Sequence, residues 1–257
     1  MSGHSKWSTI KRKKGAADAK RGALFGKLSR AITVAAREGG GDPDMNPALG
    51  LAVQKAKEGN MPNDNIQRAI DKGTGAGADA EQFERVTYEG YAPGGVAIMV
   101  EVLTDNRNRA ASDVRYIFSK NGGKLGTSGS VSYLFDRKGV VLIPKSEVDE
   151  NELMELALEA GAEDVEPMES DYRVVTAPED FATVRESLKE AGVAFENAEI
   201  TMQPQNSIDL DAGTAKQTLR LIDALEENDD VQEVYANFDI SEEVMSVAFD
   251  EVAEPRK

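Results

Sequence analysis

Lys11-Arg12-Lys13-Lys14 is the densest basic run in a chain of 257 residues, and just ahead of it Gly3-His4-Ser5-Lys6-Trp7 holds the only His and the only Trp. Clustered ammonium and guanidinium groups gain entropy by releasing the counterions condensed on a polyphosphate. An indole set among them offers a flat face on which an unpaired base can stack. The chemistry open to these residues is nucleic-acid binding, with His4, Lys6, Trp7, Lys11, Arg12, Lys13, Lys14, Lys20 and Arg21 as the contacts. Residues 1–37 carry ten Lys/Arg and one acid, Asp18, a net +9; the other 220 residues carry 20 basic and 45 acidic side chains, a net −25. Charge alone fits a solvating tail equally well, and Trp7 favours a binding arm.

A second cluster, Thr104-Asp105-Asn106-Arg107-Asn108-Arg109, falls between an apolar run and a helical pattern. Unpaired backbone N–H groups point outward at a helix start, and Arg107 and Arg109 beside them can grip a phosphate or a carboxylate. The competing reading is an Asp or Asn cap with exposed arginines. Catalytic chemistry finds little support. The absence of Cys excludes disulfides, thiolate metal sites and thiol nucleophiles. A Ser-His-Asp system would rest on His4 alone, in the basic arm, and one His cannot supply the pairs that bind zinc or iron. Gly73-Thr74-Gly75-Ala76-Gly77 follows a helix rather than a strand, so it reads as a linker and not a dinucleotide loop. Glu226-Glu227 with Asp229-Asp230 lacks the ordered spacing of a calcium loop and reads as solvated helix ends. The expectation is a non-enzyme with no metal and no cofactor. No apolar run approaches the roughly 20 residues that span a bilayer, so a cytoplasmic protein that meets no membrane is expected.

The elements that position these clusters follow from periodicity. Residues 1–16 have none and read as a flexible arm. Leu24, Leu28, Ile32 and Ala35 form one stripe of a helix that Gly39-Gly40-Gly41 ends. Asn46-Pro47 caps a second helix with Leu49, Val53 and Ala56 inward, stopped by Gly59. A third carries Ile66 and Ile70 and ends at Gly73. The period then changes: Glu84–Gly90 and Val96–Leu103 read as strands around Ala92-Pro93-Gly94-Gly95, the second buried on both faces because Val96, Ile98, Val100 and Val102 alternate with Met99 and Leu103. A helix with Val114, Ile117 and Phe118 inward closes at Asn121-Gly122-Gly123. Short strands at Val131–Phe135 and Val140–Ile143 flank a turn at Arg137-Lys138-Gly139. Asp149 caps a helix burying Leu153, Ala157 and Ala160; a strand at Tyr172–Thr176, a helix with Phe181, Val184 and Leu188, and a strand at Ala198–Met202 follow. A final helix buries Ala215, Leu219, Ile222 and Leu225, before a strand at Val231–Phe238. Neighbouring strand pairs mixed with helices predict α+β sheets rather than a doubly wound parallel sheet.

Gly3-His4-Ser5-Lys6-Trp7, Asp18-Ala19-Lys20-Arg21, Gly39-Gly40-Gly41-Asp42-Pro43, Tyr88-Glu89-Gly90-Tyr91, Thr104–Arg109 and Asn121-Gly122-Gly123 occur in the order in which they occur in the YebC family, which the chain resembles to about Ser241. The family includes bacterial proteins labelled transcriptional regulators and a mitochondrial translational activator of cytochrome c oxidase. The Met-Ser-Gly-His start resembles the mature bacterial proteins, so no cleavable presequence is expected. The resemblance implies an α+β multidomain protein: an N-terminal three-helix bundle and two α+β, ferredoxin-like domains, the third inserted in the second. The implied boundaries are 1–75 for the arm and bundle, 76–130 with 204–240 for the discontinuous domain, 131–203 for the acidic insert and 241–257 for a tail. It also implies no catalysis and no cofactor. The family label favours a DNA-binding transcriptional regulator; the alternative is a ribosome-associated translation factor that binds ribosomal RNA and eases synthesis of proline-rich stretches. Oligomeric state is left open. The chain departs from the family pattern at Ala110, often Thr, where a surface contact is expected to weaken, and at Lys124, often Asn.

Overall fold

The computed structural model describes residues 18–75, 83–168, 170–195, 197–241 and 244. The chain is mixed α+β and divides into two compact units, one formed by residues 133–207 and the other by the remaining described residues on either side of it.

The larger unit opens with three helices, α1 (Asp18–Gly39), α2 (Pro47–Glu58) and α3 (Asn63–Thr74). They bury a small core that includes Ile32, Leu49, Val53, Ile66 and Ile70, with Phe25 and Leu28 packed against it. Leu24, expected inward, is 41% exposed, and Phe25 takes its place on the helix. The Gly39–Gly41 turn works through Asn46: its amide donates to the carbonyls of Ala35 and Gly40, both at 2.8 Å, while its Oδ1 accepts from Leu49 N at 3.2 Å and so caps α2. Gly40 supplies the left-handed backbone this requires, at φ +91°. The second helix ends at Glu58 with Gly59 as its cap, and the left-handed residue that follows is Asn60 (φ 58°).

The sheet of this unit comprises β1 (Glu84–Tyr91), β2 (Ala97–Thr104), β3 (Lys124–Leu125) and β9 (Val231–Ala236), in the order β3-β1-β2-β9 and antiparallel throughout. Helices α4 (Arg107–Lys120) and α7 (Ala212–Glu226) pack on it through Val114, Phe118, Leu219, Ile222 and Leu225 against Ile98, Val100 and Val234. Met99 and Leu103, on the opposite face of β2, are buried too. Glu89 of β1 is a buried carboxylate. It accepts from Gly129 N, Val131 N and Ser132 N at 2.7–2.8 Å, and so fastens the Gly/Ser-rich segment before the insert. Burial pushes its pKa up, yet the three N–H donors outweigh this and hold it below the ordinary glutamate value. Its neighbour Gly90 has no room for a side chain: a Cβ there would stand 2.7 Å from the Lys124 carbonyl and from the Phe118 ring.

The smaller unit runs β4 (Phe135–Pro144), α5 (Glu150–Glu159), β5 (Asp164–Pro167), β6 (Asp171–Thr176), α6 (Phe181–Glu190) and β7 (Asn197–Pro204), with sheet order β5-β6-β4-β7, all antiparallel. This is the ferredoxin-like βαββαβ arrangement, and its core joins Val141, Ile143 and Val174 to Leu153, Phe181, Val184 and Leu188. The turn expected at Arg137-Lys138-Gly139 does not exist; one ten-residue strand passes through it. Gly139 is there because a side chain would collide with Thr176 and with Phe181, 2.6 Å away. After this unit, β8 (Ile208–Asp209) pairs parallel with β10 (Phe238–Asp239).

Candidate nucleic-acid interface

His4, Lys6, Trp7, Lys11, Arg12, Lys13 and Lys14 lie outside the described residues, and Lys20 and Arg21 belong to the first turn of α1. Arg107 and Arg109 open α4, where Asn106 is the cap and its Oδ1 accepts from Arg109 N at 3.1 Å. The two arginines have different surroundings. Arg109 donates from Nη2 to Asp105 Oδ1 at 2.7 Å and to Asp230 Oδ2 at 2.8 Å. These two hydrogen bonds raise the Arg109 pKa, and the guanidinium in turn holds the Asp105 carboxyl below its ordinary range. Arg107 is exposed; its carbonyl accepts from the Tyr88 hydroxyl at 3.4 Å, and its guanidinium has no ion-pair partner among the described residues. Ala110 is buried in the core, so the family's hydroxyl at this position would face inward and not toward a ligand.

Asp230, read from sequence as part of a solvated helix end, is instead buried and accepts from three elements. Besides Arg109 it takes the Thr104 hydroxyl at 2.8 Å and Arg30 Nη1 of α1 at 3.0 Å. Arg30 also donates to the carbonyls of Asp229 (2.8 Å) and Leu103 (3.2 Å). Two guanidinium groups and two carboxylates thus balance one another where the helical bundle meets the sheet. The Thr104–Arg109 motif is largely a bracket between elements, with Arg107 its outward-facing cation.

A cleft of about 390 Å³ lies between α1 and α3, and none of the described residues that line it is acidic. Asn65, Arg68 and Lys72 of α3 present one side, Ser29 and Arg30 of α1 another, and Phe83 closes it beside β1. The Arg30 guanidinium stands over the Phe83 ring, 5.2 Å from its centroid. Small residues, Gly26 and Ala69, also line the cleft and leave it open. The crossing of the two helices is close: Thr33 Oγ1 donates to the Ala69 carbonyl at 3.1 Å. Gly73 has no space for a Cβ, which would collide with the Thr33 carbonyl and stand 2.7 Å from Ala36 Cβ. Gly73 is therefore a packing residue within α3, not its stop. Sequence reading finds Arg68 on the third helix but not Lys72 or Phe83 beside it; the signal available is the Asn65, Arg68, Lys72 spacing of three and four, which sets all three on one helix face away from Ile66 and Ile70.

Residues 5–76 match the family described as the TACO1/YebC protein N-terminal domain, and residues 83–238 match TACO1/YebC second and third domain. A "probable transcriptional regulatory protein" of Rubrobacter xylanophilus is 77% identical over 246 residues, covering 96% of this chain and 98% of the relative. One of the same name from Halothermothrix orenii is 56% identical over 248 residues, covering 95% and 98%. The crystal structure of a conserved hypothetical protein from Aquifex aeolicus is 54% identical, with a TM-score of 0.76, and the match covers 88% of this chain and 93% of that one. A three-helix bundle, a four-stranded antiparallel sheet and a ferredoxin-like insert, matched over nearly their whole length at such identities, establish that the chain belongs to the TACO1/YebC family.

Proposed function

We propose that this protein is a non-enzymatic regulator of gene expression that acts in the cytoplasm by binding nucleic acid through its N-terminal arm, with promoter DNA as the target. One observation carries the reading: a net +9 in residues 1–37 leads a body of net −25. Such a body repels a polyanion over most of its surface, so the arm both supplies the attraction and decides which part of the molecule meets phosphate. The relatives' shared name, probable transcriptional regulatory protein, supports the regulatory role. Trp7 supports a second reading, a ribosome-associated translation factor bound to ribosomal RNA, because only unpaired bases use an indole face fully.

The test is binding at graded salt. With about four phosphates neutralised by the arm, affinity falls by roughly two decades between 50 and 200 mM salt. Replacing Lys11, Arg12, Lys13 and Lys14 by Ala flattens that slope; an unchanged slope and affinity would remove the arm from the mechanism. Competition at fixed salt then separates the targets. A preference of about 10³-fold for promoter over random duplex supports the DNA regulator. An advantage for ribosomal RNA that Trp7→Ala abolishes supports the ribosomal factor.

A further inference from the structure

We propose that the cleft between α1 and α3 seats one unpaired nucleotide, with Arg68 and Lys72 on its phosphate and Phe83 against its base. The inference rests on the reading that the chain binds nucleic acid, and it assigns to the folded bundle a share of binding that the arm alone would otherwise hold. Three observations point to it. Among the described residues the lining is free of acids, in a chain with 46 Asp and Glu against 30 Lys and Arg. A wall of this protein so depleted in carboxylates is suited to an anion.

The donors are also arranged. Asn65, Arg68 and Lys72 follow one another at single-turn intervals, so their side chains rise from one strip of α3. Arg68 is exposed and has no ion-pair partner among the described residues, whereas the Arg30 charge is already matched by Asp230. The phosphate is thus directed to the α3 side of the cleft. Ser29 and Asn65 add neutral donors and acceptors suited to sugar and base edges.

Phe83 is the third observation. It belongs to none of the three hydrophobic cores, is only half-buried, and stands at the cleft with the Arg30 guanidinium 5.2 Å from its ring centroid. An aromatic ring and a guanidinium set together outside a core form the kind of platform on which single-stranded bases stack. The cleft volume of about 390 Å³ is that of a small-ligand pocket, room for one nucleotide and not for a stacked duplex.

The experiment measures fluorescence anisotropy of a labelled twelve-nucleotide RNA, the same sequence as single-stranded DNA, and its duplex, with the full chain. Arg68→Ala with Lys72→Ala lowers affinity for the single strands about tenfold and reduces the log–log salt slope by about 0.7, the share of one phosphate. Phe83→Ala lowers single-strand affinity about tenfold and leaves the duplex unchanged, and Phe83→Trp restores it. Equal losses with RNA and DNA assign the contact to phosphate and base; a larger loss with RNA adds the 2′-hydroxyl, and both are within the proposal. If the Arg68/Lys72 and Phe83→Ala variants bind single strands as the wild type does, while the Lys11–Lys14 variant is impaired, the cleft assignment falls and the arm reading stands. A Phe83→Ala loss that is equal for duplex and single strand overturns the stacking role. Wild-type protein that binds none of the three probes at low salt overturns both readings.

Discussion

At the scale of single residues, Glu89 shows what a sequence motif conceals. Its two oxygens are occupied by three backbone N–H groups from a segment 40 or more residues downstream. The folded carboxyl holds its proton less readily than the same group in the unfolded chain, whose value is 4.5. Unfolding therefore takes up a proton below that value. The stability Glu89 contributes is complete above about pH 4.5, the unfolded glutamate value, and is lost as pH falls through its lower folded value. Glu89→Gln replaces an acceptor oxygen with a donor facing N–H groups, and the expected cost is about 2–3 kcal/mol at pH 7, shrinking toward acid. Urea unfolding of both proteins at pH 7 and near pH 3 checks this; a difference that does not narrow would assign the loss to packing. Tyr88-Glu89-Gly90-Tyr91 was visible as a motif, but its job was not, because the partners are remote in sequence. Asp230 escaped for the same reason: among Glu226, Glu227 and Asp229, nothing local marks it as the acceptor of Arg30, Arg109 and Thr104.

At the scale of elements, legibility tracked the strength of the local signal. Helices α2, α6 and α7 bury the very residues their 3.6-residue period indicated, since a cap and a stripe are both written locally. The edge strand β5 has a single buried side chain, Val165, and β8 is two residues long, so neither offers a period to read. Glycine is the residue whose local signal misleads most. At Gly73 and Gly139 it reads locally as punctuation, whereas each marks a close approach between elements. The α1–α3 crossing allows a direct check. Gly73→Ala drives a methyl into the Thr33 carbonyl and Ala36, and overpacking of this kind costs about 1–3 kcal/mol. Helix separation also deforms the cleft, so single-strand affinity should fall together with the melting temperature. A Gly73→Ala protein as stable as wild type would mean that the crossing is looser than the packing distances indicate.

At the scale of the whole molecule, the insert concentrates charge. Residues 133–207 hold 18 acidic and six basic side chains, so the ferredoxin-like unit accounts for much of the repulsion toward a polyanion. Its first and last strands are partners, Phe135 with Pro204, and Gln205 N donates to the Leu134 carbonyl at 2.9 Å. The two ends thus leave the unit roughly one strand spacing apart, about 5 Å, and a short Gly-Ser bridge can replace it. The excised protein is expected to keep the cooperative unfolding of the larger unit and to associate with nucleic acid about tenfold faster at low salt, the gain shrinking as salt rises. Stopped-flow association is the measurement; an unchanged rate would show that the insert's charge is not felt at the arm. That same pairing of ends bears on the order in which the chain assembles. Strand β9 must find β2 across about 125 residues of intervening chain, a span whose closure entropy grows with the logarithm of its length. Once the insert has folded and brought its ends together, the effective span falls to about 50 residues, and closing it costs roughly 0.7–0.8 kcal/mol less. The insert thereby acts as a splint, shortening the search that completes the sheet into which it interrupts the chain.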